Sequence, residues 1–231
     1  MTKAGKYKPA AASILFMGKR DDRHCATALD KLRSFDFEIQ PYLARRGDSW
    51  PAPADTWRGD YIISYLSPFI IPDNVLKNAR QAAINFHPGP PAYPGIGCTN
   101  FAIYNGERDF GVTCHHMAAA VDTGPIIAVR RFPLYPIDSV YDLTQRCYDA
   151  IQNLFFEVIE QIASGAPLPD AGETWTRAPY RRTELEALCR ITPDMEKEEI
   201  ERRVRATTFP GAPGAHIELH GHRFDYASAA E

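Results

Sequence analysis

A carboxamide, an imidazole and a carboxylate stand at Asn85, His87 and Asp122, in the stretches AINFHPGPPAYPGIG (83–97) and GVTCHHMAAAVDTGPII (111–127). The first stretch is a short apolar run that stops at a Pro/Gly-rich loop. The second is a strand, a loop carrying one acid, and another strand. Both patterns put the polar groups on loops at strand ends, where α/β proteins keep their chemistry. Such a trio suits acyl transfer through a tetrahedral intermediate: one group holds the oxyanion, one polarises, and one manages the proton. Asn85 and His87 are two residues apart, which sets them on the same side of a strand. That pairing, with the loop behind it, favours a catalytic His87 over a structural histidine.

The elements that must position these groups alternate along the chain. Residues 13–17 (SILFM) read as a buried strand, and 22–35 carry Cys25, Leu29 and Leu32 at helical spacing. Strands are expected over 37–43, 60–66 and 82–86, with a short helix over 72–79 that starts at Pro72. After the loop come a helix over 99–106 closed by Gly106 and strands over 110–117 and 125–134. The clearest helix spans 139–164, where Val140, Leu143, Cys147, Ile151, Leu154, Val158 and Ile162 recur every three or four positions. Ser139 and Asp142 give its start signal and Gly165 its stop. This order implies an α/β fold: a Rossmann-like, mainly parallel, doubly wound sheet. Residues 1–165 are expected to form the catalytic domain. Residues 166–231 should supply a Pro/Gly-rich connector (165–174), a helix over 192–207 and a hairpin over 215–227.

Composition narrows the function. The chain has 231 residues, 45% of them hydrophobic and 24% charged, which is ordinary for a globular domain with a full core. A net charge of −3 supplies no global positive field for nucleic acid or an anionic membrane. No apolar run approaches the roughly 20 residues of a membrane helix. The apolar stretch near the start is short and runs into KRDDR (19–23), so it reads as a strand behind a loose tail rather than a signal peptide, and a cytoplasmic protein is expected. Five cysteines, none in a CxxC pair, read as scattered reduced thiols. His115 and His116 are strand neighbours that face opposite ways, so they cannot easily share an ion. His220 and His222 flank Gly221 in a hairpin turn. No metal site is expected.

The motifs resemble the folate-dependent formyltransferase family. Its pattern of Asn-x-His-Pro, a Pro/Gly loop, Gly-Val-Thr and Val-Asp-x-Gly is met by Asn85-Phe86-His87-Pro88, Tyr93-Pro94-Gly95, Gly111-Val112-Thr113 and Val121-Asp122-Thr123-Gly124. The match spans roughly residues 60–165, and several motifs in the right order make it specific. The resemblance implies that 10-formyltetrahydrofolate donates its formyl group to an amine, with Asn85, His87 and Asp122 as the catalytic set. It implies a pterin slot lined by Ser67, Pro68, Phe69, Ile70 and Ile71. Ala118, Ala119, Ala120, Val121 and Asp122 occupy the loop whose backbone reads the pterin's polar edge. Pro91, Tyr93, Pro94, Gly95, Phe101, Tyr104 and His115 are assigned to the acceptor side, with the aromatic rings as a platform for a base or sugar.

The acceptor follows from departures within the family. Residues 175–231 hold nine Lys/Arg against ten Asp/Glu, which argues against a tRNA-binding tail. The turn after the first strand, Gly18-Lys19-Arg20-Asp21-Asp22, has one glycine and two acids, which argues against a ribonucleotide phosphate site. The run through Gly106 with GVTCHHM is most similar to enzymes that formylate nucleotide-linked amino sugars for surface polysaccharides such as lipopolysaccharide. The alternatives are a glycinamide ribonucleotide or methionyl-tRNA type of formyltransferase, a formyltetrahydrofolate hydrolase, and a non-catalytic folate- or nucleotide-binding module. The tail beyond Ala166 is expected to position the acceptor or to form a contact in a homodimer.

Overall fold

The computed structural model describes residues 11–227. Compactness divides the chain between Asn85 and Phe86. The first unit opens with β1 (Ser13–Lys19), whose Ile14, Leu15, Phe16 and Met17 are fully buried. A strand covered on both faces needs such an unbroken apolar run rather than an alternating one. It pairs in parallel with β2 (Glu38–Ala44) on one side and β3 (Gly59–Tyr65) on the other. β2 lies at the sheet edge, which tolerates the missing N–H of Pro41.

Between β1 and β2 runs α1 (Arg23–Arg33), capped by the Asp22 carboxylate, which accepts from the N–H groups of His24 and Cys25. Its Cys25, Ala28, Leu29 and Leu32 are buried. A 3-10 turn (Ala52–Thr56), α2 (Asp73–Leu76) and β4 (Ala79–His87) follow. α2 is shorter than the helix expected over 72–79, because Pro72 sits in the cap and β4 takes the chain from Ala79.

The second unit contains α3 (Cys98–Asn105), β5 (Asp109–His116), the antiparallel β6 (Ile126–Pro133) and α4 (Val140–Ser164). α4 carries the expected Ser139–Asp142 capping box and ends at Gly165 in a left-handed conformation. Its buried stripe packs against β5 and β6. The strand order β2-β1-β3-β4-β5-β6 makes a six-stranded sheet, the mainly parallel α/β architecture expected from the alternation.

Beyond α4 lie α5 (Arg182–Cys189), β7 (Arg190–Ile191), α6 (Lys197–Thr207), β8 (His216–Leu219) and β9 (His222–Asp225), and the last strands form the expected hairpin. β7, β8 and β9 make a second, three-stranded sheet. α5 was not expected. It buries only Leu188, too little apolar surface for a periodic signal. α6 starts five residues later than the helix expected over 192–207, since Glu196 is its cap. α6 packs on α3, so residues after 165 share one compact unit with His87 and Asp122. Among the described residues, no helix is long and apolar enough to cross a membrane.

Candidate active site

The site grows from the C-terminal end of β4. Asn85 is half-buried there and closes the first unit, while His87 is buried and belongs to the second. His87 Nδ1 lies 3.1 Å from Asp122 Oδ2, and Nε2 lies 2.8 Å from the Tyr93 carbonyl oxygen. An acceptor therefore faces each ring nitrogen, and both contacts are satisfied together only by the doubly protonated imidazolium. Burial alone would push the His87 imidazole down. The charge of Asp122 and the hydrogen bonds to Asp122 and Tyr93 outweigh burial and raise it.

Asp122 lies within the loop between β5 and β6. Its φ of 48° is left-handed, a conformation that a short polar side chain tolerates and that clusters at functional sites. The carboxylate has three partners. Besides His87, the Gly95 N–H donates to Oδ2 at 2.8 Å, and His115 Nε2 lies 3.3 Å from Oδ1. Burial would raise this carboxyl, but His87 beside it and the hydrogen bonds from His115 and His87 hold it well below the usual carboxylate range. Asp122 is thus a fixed anion between two imidazoles.

His115 comes to this place through a bulge. The β5–β6 register slips between Cys114 and His115, and the His115 ring is buried, 2% exposed. His115 Nδ1 lies 2.8 Å from the His116 carbonyl oxygen and Nε2 faces Oδ1 of Asp122, so this ring too has an acceptor at each nitrogen. His116 stays only half-buried. Among the described residues, no group of three or more His, Cys, Asp or Glu could hold a metal ion. The five cysteines are free. Burial and the charge of Asp122 push the Cys98 thiol up to about 12, so it stays protonated beside the site.

The loop after His87 is tied from several sides. The Thr113 hydroxyl donates to the Gly89 carbonyl at 2.7 Å, so Thr113 anchors and packs. Thr176 N–H donates to the Pro91 carbonyl, Tyr180 N–H to Pro94, and Ile96 N–H to Tyr180. Gly95 has a φ of +87°, and a Cβ there would lie 2.4 Å from the Tyr180 carbonyl oxygen, so only glycine passes under this segment. Gly124 is equally confined: a Cβ would lie 1.9 Å from the His116 carbonyl oxygen.

The expected acceptor platform is differently engaged. Phe101 stacks on Tyr180 with centroids 3.8 Å apart, and the Arg177 guanidinium lies over the Tyr180 ring. The Tyr93 ring is buried and its hydroxyl donates to Glu107 at 2.6 Å. The Tyr104 hydroxyl donates to Glu199, with Arg202 over its ring. Pro91 and Pro94 are buried in the loop itself. Among the residues assigned to a pterin slot, Pro68 and Ile70 are exposed, Ser67 and Phe69 half-buried, and Ile71 buried. Ala118, Ala119, Ala120 and Val121 are exposed.

Sequence reading placed His115 on the acceptor side and did not foresee its contact with Asp122, because a bulge leaves no trace in a strand pattern. It also passed over Trp175 and Tyr180. They lie in and just after a connector without periodicity, and their only signal is the density of aromatic residues and proline in WTRAPY (175–180).

An imidazole–carboxylate pair beside the ends of an α/β sheet's strands can hold and move a proton. Residues 54–159 match the family described as formyl transferase. The chain is 30% identical over 206 residues to GDP-perosamine N-formyltransferase of Brucella melitensis, covering 88% of this chain and 77% of that protein. It shares its fold with a 4-N formyltransferase from Francisella tularensis (TM-score 0.74, 18% identity, 95% of this chain and 98% of that one). It also shares it with an N-formyltransferase from Helicobacter canadensis in complex with folinic acid and dTDP-3-aminofucose (TM-score 0.69, 19% identity, 91% and 85%). This chain belongs to the formyl transferase family.

Proposed function

We propose that the chain transfers the formyl group of 10-formyltetrahydrofolate to the amine of a nucleotide-linked amino sugar, with Asn85, His87 and Asp122 as its catalytic residues. The observation that carries this is the Asp122 carboxylate held between His87, His115 and the Gly95 N–H. A neutral amine that adds to the formyl carbon becomes cationic, and the formyl oxygen becomes anionic. The fixed anion of Asp122 favours the cationic nitrogen. That nitrogen then sheds its proton to Asp122, directly or through a water. The His87 imidazolium balances the charge of the site, and the Asn85 amide N–H donates to the formyl oxygen. The carbon–N10 bond of the folate then breaks, N10 gains a proton, and the new amide is released.

The curated relative with 30% identity acts, by its name, on a nucleotide-linked amino sugar, and the Helicobacter structure holds a folate and another such sugar. Both support the donor and the acceptor class. The exposed backbone of residues 118–121 is the proposed pterin-reading edge, and residues 67–71 the proposed slot. Two small-molecule substrates, no metal, no nucleic acid and a homodimer complete the reading.

The test is to incubate the protein with 10-formyltetrahydrofolate and a panel of GDP- and dTDP-linked amino sugars, following tetrahydrofolate release and the mass of the sugar. One acceptor should gain a formyl group, with the same rate in EDTA. Formate release without an acceptor would favour the hydrolase instead. Donor binding without turnover on any amine would favour the binding module.

A further inference from the structure

Trp175 meets both imidazoles of the Asp122 network. Its ring centroid lies 5.8 Å from that of His87 and 5.0 Å from that of His115, and it stands close to perpendicular to each (74° and 88°). The indole Nε1–H donates to the Gly124 carbonyl at 2.8 Å. Gly124 is confined against the His116 carbonyl, the same carbonyl that lies 2.8 Å from His115 Nδ1. One hydrogen bond therefore ties the indole to the turn that follows Asp122. From the next residue on, the chain is sewn to the loop after His87 by the N–H groups of Thr176 and Tyr180.

Resting on the function proposed above, we propose that Trp175 is a positioning residue: its ring walls the two histidines and holds the His87–Asp122–His115 chain in one arrangement. Two imidazoles on one carboxylate have competing arrangements, since each ring can tilt to take either oxygen or a water. A flat apolar wall in contact with both removes those alternatives and keeps water off the ion pair, which strengthens the interaction. A misplacement of about 1 Å in such a constellation costs on the order of a hundredfold in rate. Trp175 is a wall behind the two histidines, so its loss should appear in turnover rather than in binding.

Three variants test this. W175F keeps a ring against both histidines and gives up the hydrogen bond to Gly124. W175A and W175L remove the wall. W175F should retain kcat within about threefold of wild type, while W175A should lose at least about tenfold in kcat with KM for donor and acceptor nearly unchanged. Long-range proton–nitrogen NMR of the imidazoles should show His87 and His115 altered in W175A and preserved in W175F. The proposal is overturned by wild-type kcat in W175A, by a loss confined to KM, or by imidazole spectra that do not change. W175L replaces W175A should the latter fail to fold; if neither folds, Trp175 is a core residue and the proposal falls. A wild-type protein that formylates no acceptor sinks the function reading alone, because the imidazole spectra still decide the role of Trp175.

Discussion

Two loops flank the Asp122 carboxylate, and they are built on opposite principles. Residues 88–97 are tied at Gly89, Pro91, Pro94, Gly95 and Ile96 by hydrogen bonds shared with β5, Asp122 and the 176–180 segment. Residues 118–121 present three alanines and Val121 to solvent, and the Thr123 hydroxyl on the Ala120 carbonyl is their own local tie. Asp122 stands where the open loop turns inward, with only 5% of its surface exposed. The tied loop fixes the geometry of His87. The open loop has few ties of its own and costs little to rearrange.

The largest effect should come from the residues between the loops. His87→Ala and Asp122→Ala should each reduce formyl transfer at least about a hundredfold, roughly 2.7 kcal/mol of transition-state stabilisation, while far-UV circular dichroism stays native. Rates near wild type in either variant would remove the pair from the mechanism.

Next in size is the ion pair's share of stability. The folded state raises His87, so its contribution is complete below the ordinary value of 6.5 and is lost as pH climbs through the folded value. Asp122 is lowered, so its contribution is complete above the ordinary 3.8 and is lost as pH falls through its folded value. Asp122→Asn leaves a buried imidazole facing an amide. The deficit in unfolding free energy should reach on the order of 3 kcal/mol between about pH 4 and 6.5 and shrink at higher pH. Urea titrations across that range measure it, and a deficit independent of pH would show that the two groups are not charged together.

Gly95→Ala probes the tied loop itself. The left-handed φ costs an alanine roughly 1–2 kcal/mol, and its Cβ would collide with Tyr180 backbone atoms at 2.4 and 2.6 Å. A loss of at least about 2 kcal/mol is expected, with a fall in kcat as the N–H on Asp122 moves. Wild-type stability would mean that the 176–180 segment is not seated on this loop.

How far the sequence carried this picture differs between the same two loops. The approach of His87 to Asp122 was legible because both stand beside glycine-containing turns after apolar runs, and the fold class was legible because β1, β3 and α4 have strong periodic or continuous apolar patterns. The closure of the first loop was not legible. It depends on backbone hydrogen bonds from 176 and 180, more than 75 residues further on, which carry no side-chain signature. His115 follows a register slip in β5, which a strand pattern does not show. The platform expected from Tyr93, Phe101 and Tyr104 drew on aromatic composition alone, whereas their partners Glu107, Tyr180 and Glu199 are set by tertiary packing.

The smallest effect belongs to the open loop and completes the contrast. Ala119→Ser changes about as many atoms as Gly95→Ala, but at an exposed position. A surface substitution of this kind moves stability by less than about 0.5 kcal/mol, so the thermal midpoint should stay where it is. If residues 118–121 read the folate through their backbone, the added hydroxyl should alter KM for the donor by a few-fold and leave kcat for the bound complex unchanged. Destabilisation equal to that of Gly95→Ala would show that this loop is held as firmly as the first, and that its exposure does not mark a place kept open for a ligand.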